Sequence, residues 1–420
     1  MVGANIILLG ASSLIILLGL MAKSVRDKLG FKLTADAFSQ KRDIAIDGIR
    51  GVVSTAVVIG HYSSLGMPQA AKIADSAIFP YAVSMFAAMS GYVLYAGLRR
   101  FEPLPGNEIR SFLIRRFFRI YPLYAVYFII VLAGILATTH ISGRQFLTLM
   151  SDMLMLDVLH FGWRIQSATW SLYPEMLFSL LLPFWLLLAG RNWKSVGACY
   201  VLLAVFSWAA TPNGPTDASF NLLRYFFLGM VLEHFIRYLR STEVPRWLSP
   251  LLYVSFLLAV VLSLAFSTWA GDGTTLPAPL ALYRHIGISF HQDLCILMLV
   301  PPILLCPLLR KAFSNPVLVF LGIISYGVYI LHEPLAFLLH GTSFAWQQGI
   351  IGYDLATPGA PLGTAALPLY WLIVVGIATL CHFAVERPMI RWSYALVRQQ
   401  RAKSEDGTAG GEAVALGQLK

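Results

Sequence analysis

Continuous apolar runs of about 20 residues are the feature that most constrains the fold of this chain, because an α-helix of that length crosses a ~30 Å hydrocarbon layer. Apolar residues make up 57% of the 420 residues and charged residues only 12%, against roughly 25% charged in a soluble domain. The runs are continuous rather than alternating, which excludes the strands of a membrane barrel. The sequence therefore predicts an all-α integral membrane protein.

The runs predict a bundle of about eleven transmembrane helices. Their approximate positions are 4–22, 44–62, 77–98, 112–138, 170–190, 195–211, 220–236, 248–269, 285–309, 317–340 and 369–390. The first run has no basic residue before it and a basic stretch after it, which favours a retained helix over a signal peptide. Three regions are predicted: an N-terminal helix with a basic cytoplasmic linker (1–43), a membrane domain (44–392) and a disordered cytoplasmic tail (393–420).

Lys and Arg residues predict the orientation of the bundle. They are concentrated in alternate loops, beginning with the stretch 23–43, and basic loops stay on the cytoplasmic side. The N-terminus is therefore predicted outside and the C-terminus in the cytoplasm. A full crossing by the apolar stretch 145–160 would invert the later loops, so we interpret it as an outer-face or re-entrant helix. The net charge of +10 lies in these loops, which argues against a nucleic-acid partner.

The second predicted span carries ionisable residues that are costly inside a membrane. At 100° per residue, Asp47, Arg50 and His61 share one stripe of the helix with Ser54. Such a stripe must face protein or a water-filled cavity. One interpretation is a structural Asp–Arg pair with a capping histidine. The other is a catalytic histidine that activates a hydroxyl group.

A carboxylate for such a histidine is predicted in the span 170–190. Ser171 and Glu175 lie one turn apart on the same face, just after Trp170. The predicted topology puts Glu175 and His61 at the same depth near the outer surface, so Glu175 is the candidate partner that orients His61. The alternative is a glutamate that caps a helix or forms a structural pair near the interface.

Three arginines open the span 112–138. Arg115, Arg116 and Arg119 precede Tyr121 and Pro122 within two turns at the predicted cytoplasmic end. By default they anchor the helix at the inner interface. The functional alternative is a site for phosphate groups, to which arginine forks pair well.

Other polar positions carry weaker signals. Ser90-Gly91 predicts close helix packing, and His332-Glu333 precedes a proline that favours a kink. Glu386 and Arg387 are interpreted as an interfacial pair. The four cysteines show neither metal-ligand spacing nor a secreted-disulfide pattern, so no metal site is predicted.

Taken together, these motifs resemble the acyltransferase-3 family of membrane O-acyltransferases. The chain has Asp-Gly-Ile-Arg-Gly at 47–51 with His61 beyond it, and further motifs follow in order. They are Met-Ser-Gly-Tyr at 89–92, Arg-Arg-x-x-Arg-Ile-Tyr-Pro at 115–122, Trp-Ser-Leu-x-x-Glu at 170–175, Ser-Tyr-Gly-Val-Tyr-x-x-His at 325–332 and Glu-Arg-Pro at 386–388. The resemblance covers roughly 43–392. It implies a core of about ten helices, so the span 4–22 is an addition to that core.

The resemblance implies transfer of an acyl group, commonly acetyl from acetyl-CoA, to a hydroxyl of a carbohydrate-containing acceptor. It marks Arg50 and His61 as essential. His61 is then expected to act as general base or acyl relay, Glu175 to orient it, and Arg115, Arg116 and Arg119 to bind the phosphates of CoA. The residues assigned to substrate binding or structural support are Asp47, Trp170, Ser171, Tyr121 and His332. The expected partners are membrane lipid, the acceptor and acyl-CoA as co-substrate, with no permanently bound cofactor. The expected location is the bacterial inner membrane.

Two other functions fit part of the pattern. Polar stripes with Arg, Asp and Glu also line the pathways of transporters and flippases for polar or lipid-linked substrates. A two-fold sequence repeat would favour a transporter, and none is evident. The third possibility is a catalytically inactive relative that serves as a membrane scaffold.

Overall fold

The structure is a computed structural model, and only part of the chain is described. The described residues are 43–66, 79–138, 140–155, 168–210, 218–242, 247–271, 278–340, 344–347, 350–353 and 366–401. The predicted N-terminal span 4–22 and its basic linker to residue 42 lie outside them, as do residues 402–420.

The described chain is built almost entirely of α-helices. In chain order they are α1 (Ile44–Gly66), α2 (Phe79–Arg99), α3 (Gly106–Thr138), α4 (Gly143–Met153), α5 (Leu172–Ala189), α6 (Trp193–Ala210), α7 (Ala218–Ser241), α8 (Leu248–Gly271), α9 (Ala278–Leu305), α10 (Pro307–Phe313), α11 (Pro316–His340) and α12 (Leu367–Cys381). Among the described residues, each predicted span after the first is occupied by one of these helices. The continuous apolar runs therefore located the helices correctly.

Six described helices are long and apolar enough to cross a membrane, or seven if the bent pair α9–α10 counts as one span. That pair turns by 96°, at a break where Pro307 begins α10. The apolar stretches Trp193–Ser207 of α6 and Leu248–Ser263 of α8 are shorter than these six. The chain is thus an integral membrane protein of several helices, and the total of eleven spans stays a prediction.

Helix α4 occupies the segment for which an outer-face or re-entrant helix was predicted. Its 11 residues give a length of roughly 16 Å, too short to cross a bilayer. Ser142 and Gln145 form a reciprocal capping box at its start. The Tyr124 hydroxyl donates to the backbone oxygen of Asp152 at 3.0 Å, which fixes the end of α4 against α3.

A short antiparallel hairpin of strands β1 (Phe344–Gln347) and β2 (Ile350–Tyr353) lies between α11 and α12 of the predicted all-helical bundle. One predicted boundary needs correction. The chain continues from α12 through a π-helical turn, His382–Glu386, into a helix that reaches residue 401. The disordered tail therefore does not begin at 393. Ser393 and Val397, four residues apart, are both buried, and this packed face keeps the helix ordered.

Glycines bring two helix pairs into unusually close contact. A Cβ atom at Gly48 would lie 1.7 Å from the backbone oxygen of Phe313, and one at Gly322 would lie 1.8 Å from that of Asp47. Helix α1 therefore packs directly on α11 and on the chain before it. Gly91 has the same role between α2 and α7, since its Cβ would lie 2.0 Å from the oxygen of Phe226. This contact confirms the packing predicted from Ser90-Gly91.

The buried apolar residues form two clusters that meet along α1 and α11. One cluster includes Val58 and Tyr62 of α1 and packs against α3, α5 and α12. The other includes Ile49 and Val53 of α1 and packs against α2, α7 and α9. The polar stripe predicted on α1 runs between these clusters, so its ionisable side chains face protein rather than lipid.

Candidate active site

His61 lies near the end of α1 and faces the second half of α11. Its Nδ1 is 3.9 Å from Oε1 of Glu333. The His332 ring lies edge-on to the His61 ring, with 4.8 Å between the ring centroids. The His61 side chain keeps 23% of its surface exposed. Two histidines and one carboxylate are thus grouped between α1 and α11.

His332 is completely buried, and its hydrogen bond fixes the position of one ring proton. Its Nδ1 lies 2.6 Å from the backbone oxygen of Tyr329. Because a carbonyl oxygen only accepts, Nδ1 carries a proton and donates it. Among the described residues, Nε2 has no hydrogen-bond partner. The contact with Tyr329 therefore fixes the orientation of the His332 ring beside His61.

A cavity of about 100 Å³ opens along the same helices, nearer the start of α1. One wall is apolar and includes Phe86 and Phe226. The other wall is polar, with side chains from α1, α3, α5, α11 and the turn before α5: Arg50, Arg116, Arg119, Ser171, Glu175, Ser325, Tyr326 and Tyr329. The cavity brings apolar side chains and three guanidinium groups together, which suits a group that is apolar on one side and anionic on the other.

Carboxylates hold two of the cavity arginines in place. Arg116 donates from Nη2 to Oε1 of Glu175 at 2.6 Å and from Nε to the Ser179 hydroxyl at 3.1 Å. Arg119 donates from Nη1 to Oε2 of Glu386 at 3.2 Å. Each guanidinium therefore has a fixed direction and a partly compensated charge.

The predicted pairing of Glu175 with His61 needs correction, because the structure brings Glu333 to His61 and pairs Glu175 with Arg116. The predicted common depth did not identify the partner of either residue. Helix α5 follows a 3₁₀ turn, Ala168–Ser171, and Glu175 in its first turn contacts Arg116 of α3. Helix α3 begins at Gly106 rather than at 112, and Arg116 therefore lies nearly three turns inside it.

Of the other residues predicted for the site, one lines the cavity and three lie elsewhere. Ser171 lines the cavity, and Trp170 packs beside it at the edge of the apolar cluster. Asp47 is buried on α1, about one turn before Arg50. The Tyr121 ring stacks on that of Phe117, with 4.8 Å between centroids, and does not line the cavity.

Arg115 departs from the predicted arginine group. It lines a separate pocket with arginines of the last helix, whereas Arg116 and Arg119 line the cavity. The three arginines therefore do not form one site.

Tyr329 connects the cavity with the histidines. Its hydroxyl lies 2.8 Å from the Ser171 hydroxyl in the cavity wall. Its ring centroid is 5.9 Å from that of His332, and its backbone oxygen accepts the His332 hydrogen bond. A ligand in the cavity thus touches the residue that holds His332 beside His61.

The predicted interfacial pair of Glu386 and Arg387 also needs correction for Glu386. That side chain is fully buried, and it contacts Arg119 and Nδ1 of His382 at 3.2 Å each. His382 and Glu386 are four residues apart, a spacing visible in the sequence. This spacing was not used as a sign of a functional pair, because the rest of the last span is apolar. The π-helical turn, a form frequent at functional sites, places Glu386 against α3.

Comparisons with known proteins define the class to which this fold and site belong. The model of the acyltransferase-3 family, described as "Acyltransferase domain", matches residues 43–387. The chain therefore belongs to this family of membrane acyltransferases. It is similar to Acyltransferase MdmB of Streptomyces mycarofaciens, with 26% identity over 344 residues, which cover 74% of this chain and 80% of the relative. No solved structure matches the chain significantly.

Proposed function

We propose that this protein transfers an acyl group, in the simplest case acetyl, from acyl-CoA to a hydroxyl of a carbohydrate-containing acceptor. The observation that carries the proposal is the group of His61, Glu333 and His332, which Tyr329 connects to the arginine-lined cavity. Membership of an acyltransferase family supports the reaction class. The CoA donor, the acetyl group and the carbohydrate acceptor are part of the proposal.

In the proposed mechanism His61 acts as general base and accepts the proton of the acceptor hydroxyl. Because Nδ1 faces Glu333, Nε2 is the nitrogen that takes this proton while the oxygen attacks the thioester carbonyl carbon. The carbon–sulfur bond then breaks, and the leaving CoA thiolate takes the proton from Nε2 of His61, which regenerates the neutral base. Glu333 stabilises the positive charge that develops on the imidazole, so it is a positioning residue.

The alternative mechanism gives His61 a covalent role. Its Nε2 would then attack the thioester first, and the acyl group would pass to the acceptor from an acyl-histidine. Both mechanisms use the same geometry. Incubating the protein with acyl-CoA alone, followed by acid quenching and intact-mass measurement, separates them: a mass increase of one acyl group lost in His61→Ala supports the relay, and its absence supports the base.

The cavity is the proposed passage for the donor. Arg50 and His61 are eleven residues apart on α1, a rise of roughly 16 Å, so a long flexible arm is needed to bring a thioester from the arginines to the histidine. The pantetheine arm of CoA has this character. Arg116 and Arg119 are the proposed contacts for its phosphates in the cavity.

The proposed setting is the bacterial inner membrane, with the arginine end of the bundle towards the cytoplasm. The basic loops of the sequence support this orientation. In this orientation the CoA donor enters from the cytoplasm. His61 lies nearer the outer surface, where surface glycans are modified. Eleven spans with the N-terminus outside remain part of this proposal.

The test is a comparison of cells with and without the protein. Mass spectrometry of cell-surface glycans and of small glycosides is expected to show an acyl group that disappears on deletion and does not return with His61→Ala or Arg50→Ala. The acceptor found this way then serves for assays of the purified protein with radiolabelled acetyl-CoA. Full complementation by both variants would remove the proposed mechanism.

A further inference from the structure

A second pocket lies at the arginine end of the bundle, apart from the cavity. It is formed between α3, the residue that follows α2 and the last helix of the protein. Its charged and aromatic lining consists of Arg100, Arg115, Arg391, Tyr394, Arg398 and Arg401. Residues 391, 394, 398 and 401 follow a spacing of three and four, so they share one face of the last helix.

The positive charge of this pocket is only slightly compensated. Arg401 forms an ion pair with Glu108 of α3. Within the described part of the chain, Arg391 and Arg398 contact no carboxylate. Five guanidinium groups around one pocket repel one another, and a bound anion relieves that repulsion. The cavity differs in this respect, because Arg116 and Arg119 each contact a carboxylate there.

Its chemistry suits phosphate groups. Guanidinium forks bind phosphate oxygens through paired hydrogen bonds, which makes arginine the preferred residue for this recognition. The Tyr394 ring is 48% exposed, so it can stack on a nucleobase. Arg115 is one helical turn, roughly 6 Å, from Arg119 in the cavity. The pocket and the cavity therefore take neighbouring arginines of the same helix.

We propose that this arginine pocket binds a phosphate-bearing ligand, with the 3′-phosphorylated nucleotide end of the acyl-CoA donor as its first source. This assignment rests on the proposed function. The headgroup of an anionic phospholipid carries the same phosphate chemistry and is the second source. Either ligand uses Arg391 and Arg398, which contact no carboxylate among the described residues.

The experiment measures binding rather than turnover. Full-length protein is purified in neutral detergent, and its affinities for CoA and for 3′-dephospho-CoA are measured by titration calorimetry. Retention of phosphatidylglycerol is measured by native mass spectrometry. The test variant is Arg391→Gln/Arg398→Gln. The matched control is Arg110→Gln, which removes an exposed arginine of α3 outside the pocket.

If the nucleotide is bound here, the double variant weakens CoA binding roughly tenfold or more, because each lost contact is a charge-assisted hydrogen bond. It then binds CoA and 3′-dephospho-CoA alike, whereas the wild type prefers CoA and Arg110→Gln behaves as the wild type. Unchanged CoA binding with loss of phosphatidylglycerol identifies the headgroup as the ligand.

Unchanged binding of both ligands overturns the proposal. A wild-type protein that does not bind CoA contradicts the proposed function instead, and the lipid measurement then still tests the pocket.

Discussion

The histidine site and the arginine-lined cavity share α1 and α11 but hold their polar groups in different ways. His61 is 3.9 Å from Glu333. The arginines of the cavity have shorter contacts, at 2.6 Å for Arg116 with Glu175 and 3.2 Å for Arg119 with Glu386. The contact between His61 and Glu333 is therefore the longest of the three.

This difference matches what each group must do in the proposed reaction. A general base or relay changes its charge during the reaction, and a partner at a distance tolerates both states. Arginines that position a donor keep one charge throughout, so short fixed contacts suit them. The two regions thus differ in contact length as the proposed reaction needs, and variants at the two regions are expected to differ in the kinetic constant they change.

The largest effect is expected from His61→Ala. Loss of a general base lowers the turnover number by roughly 10²–10⁴-fold. The unfolding temperature should change little, because the side chain is partly exposed and alanine favours helix. Transfer assays and thermal unfolding in detergent measure both. His140→Ala, which removes an exposed histidine between α3 and α4, is the control and should keep full activity. Turnover of His61→Ala near the wild-type value would exclude both roles of His61.

Glu333→Gln is expected to have the next largest effect. The variant loses the stabilisation of the charged imidazole by Glu333, which contributes about 1.5–3 kcal/mol. Turnover should therefore fall roughly tenfold to a hundredfold. The KM for acyl-CoA should stay constant, because Glu333 does not line the cavity. Glu175→Gln is the matched comparison, since it removes the same charge next to Arg116 and should mainly raise that KM. Equal effects of the two variants on both constants would contradict the separation of the two regions.

The sequence allowed the positions of the described helices and the polar stripe on α1 to be predicted, because both depend on local periodicity. The partners across helices escaped prediction. Depth along a helix does not specify its neighbours, so Glu175 was assigned to His61 although it lies against Arg116. Glu333 lay next to a residue already singled out, but its importance comes from the packing of α11 on α1. Short-range spacing could have revealed only His382 and Glu386.

A smaller effect is expected for the ion pair of Arg116 and Glu175 in the cavity. It is measured as the coupling free energy of the two side chains in a double-mutant cycle of stability. Arg116→Gln and Glu175→Gln each leave one charge without its partner, whereas the double variant leaves none. The double variant should therefore be about 1–2 kcal/mol more stable than the sum of the single effects predicts. Unfolding in detergent of the four proteins measures this coupling.

The Arg191–Glu102 pair is the control for this cycle. Its two side chains approach to 3.4 Å, but Glu102 is 79% exposed, so its coupling should be close to zero. A coupling free energy at Arg116–Glu175 as small as that of the control would show that this ion pair does not stabilise the protein.

The smallest effect is expected at Tyr329, the residue that belongs to both regions. Tyr329→Phe removes the hydrogen bond to Ser171, which contributes about 1 kcal/mol. Because its ring still supports His332, we expect a change of roughly fivefold in kcat/KM, shared between the donor KM and turnover. Tyr326→Phe is the control, since its hydroxyl donates to the Ile120 backbone oxygen and its ring also lines the cavity. A change confined to KM in Tyr329→Phe would make Tyr329 part of the cavity alone, and the histidine site would then respond to the donor through another residue.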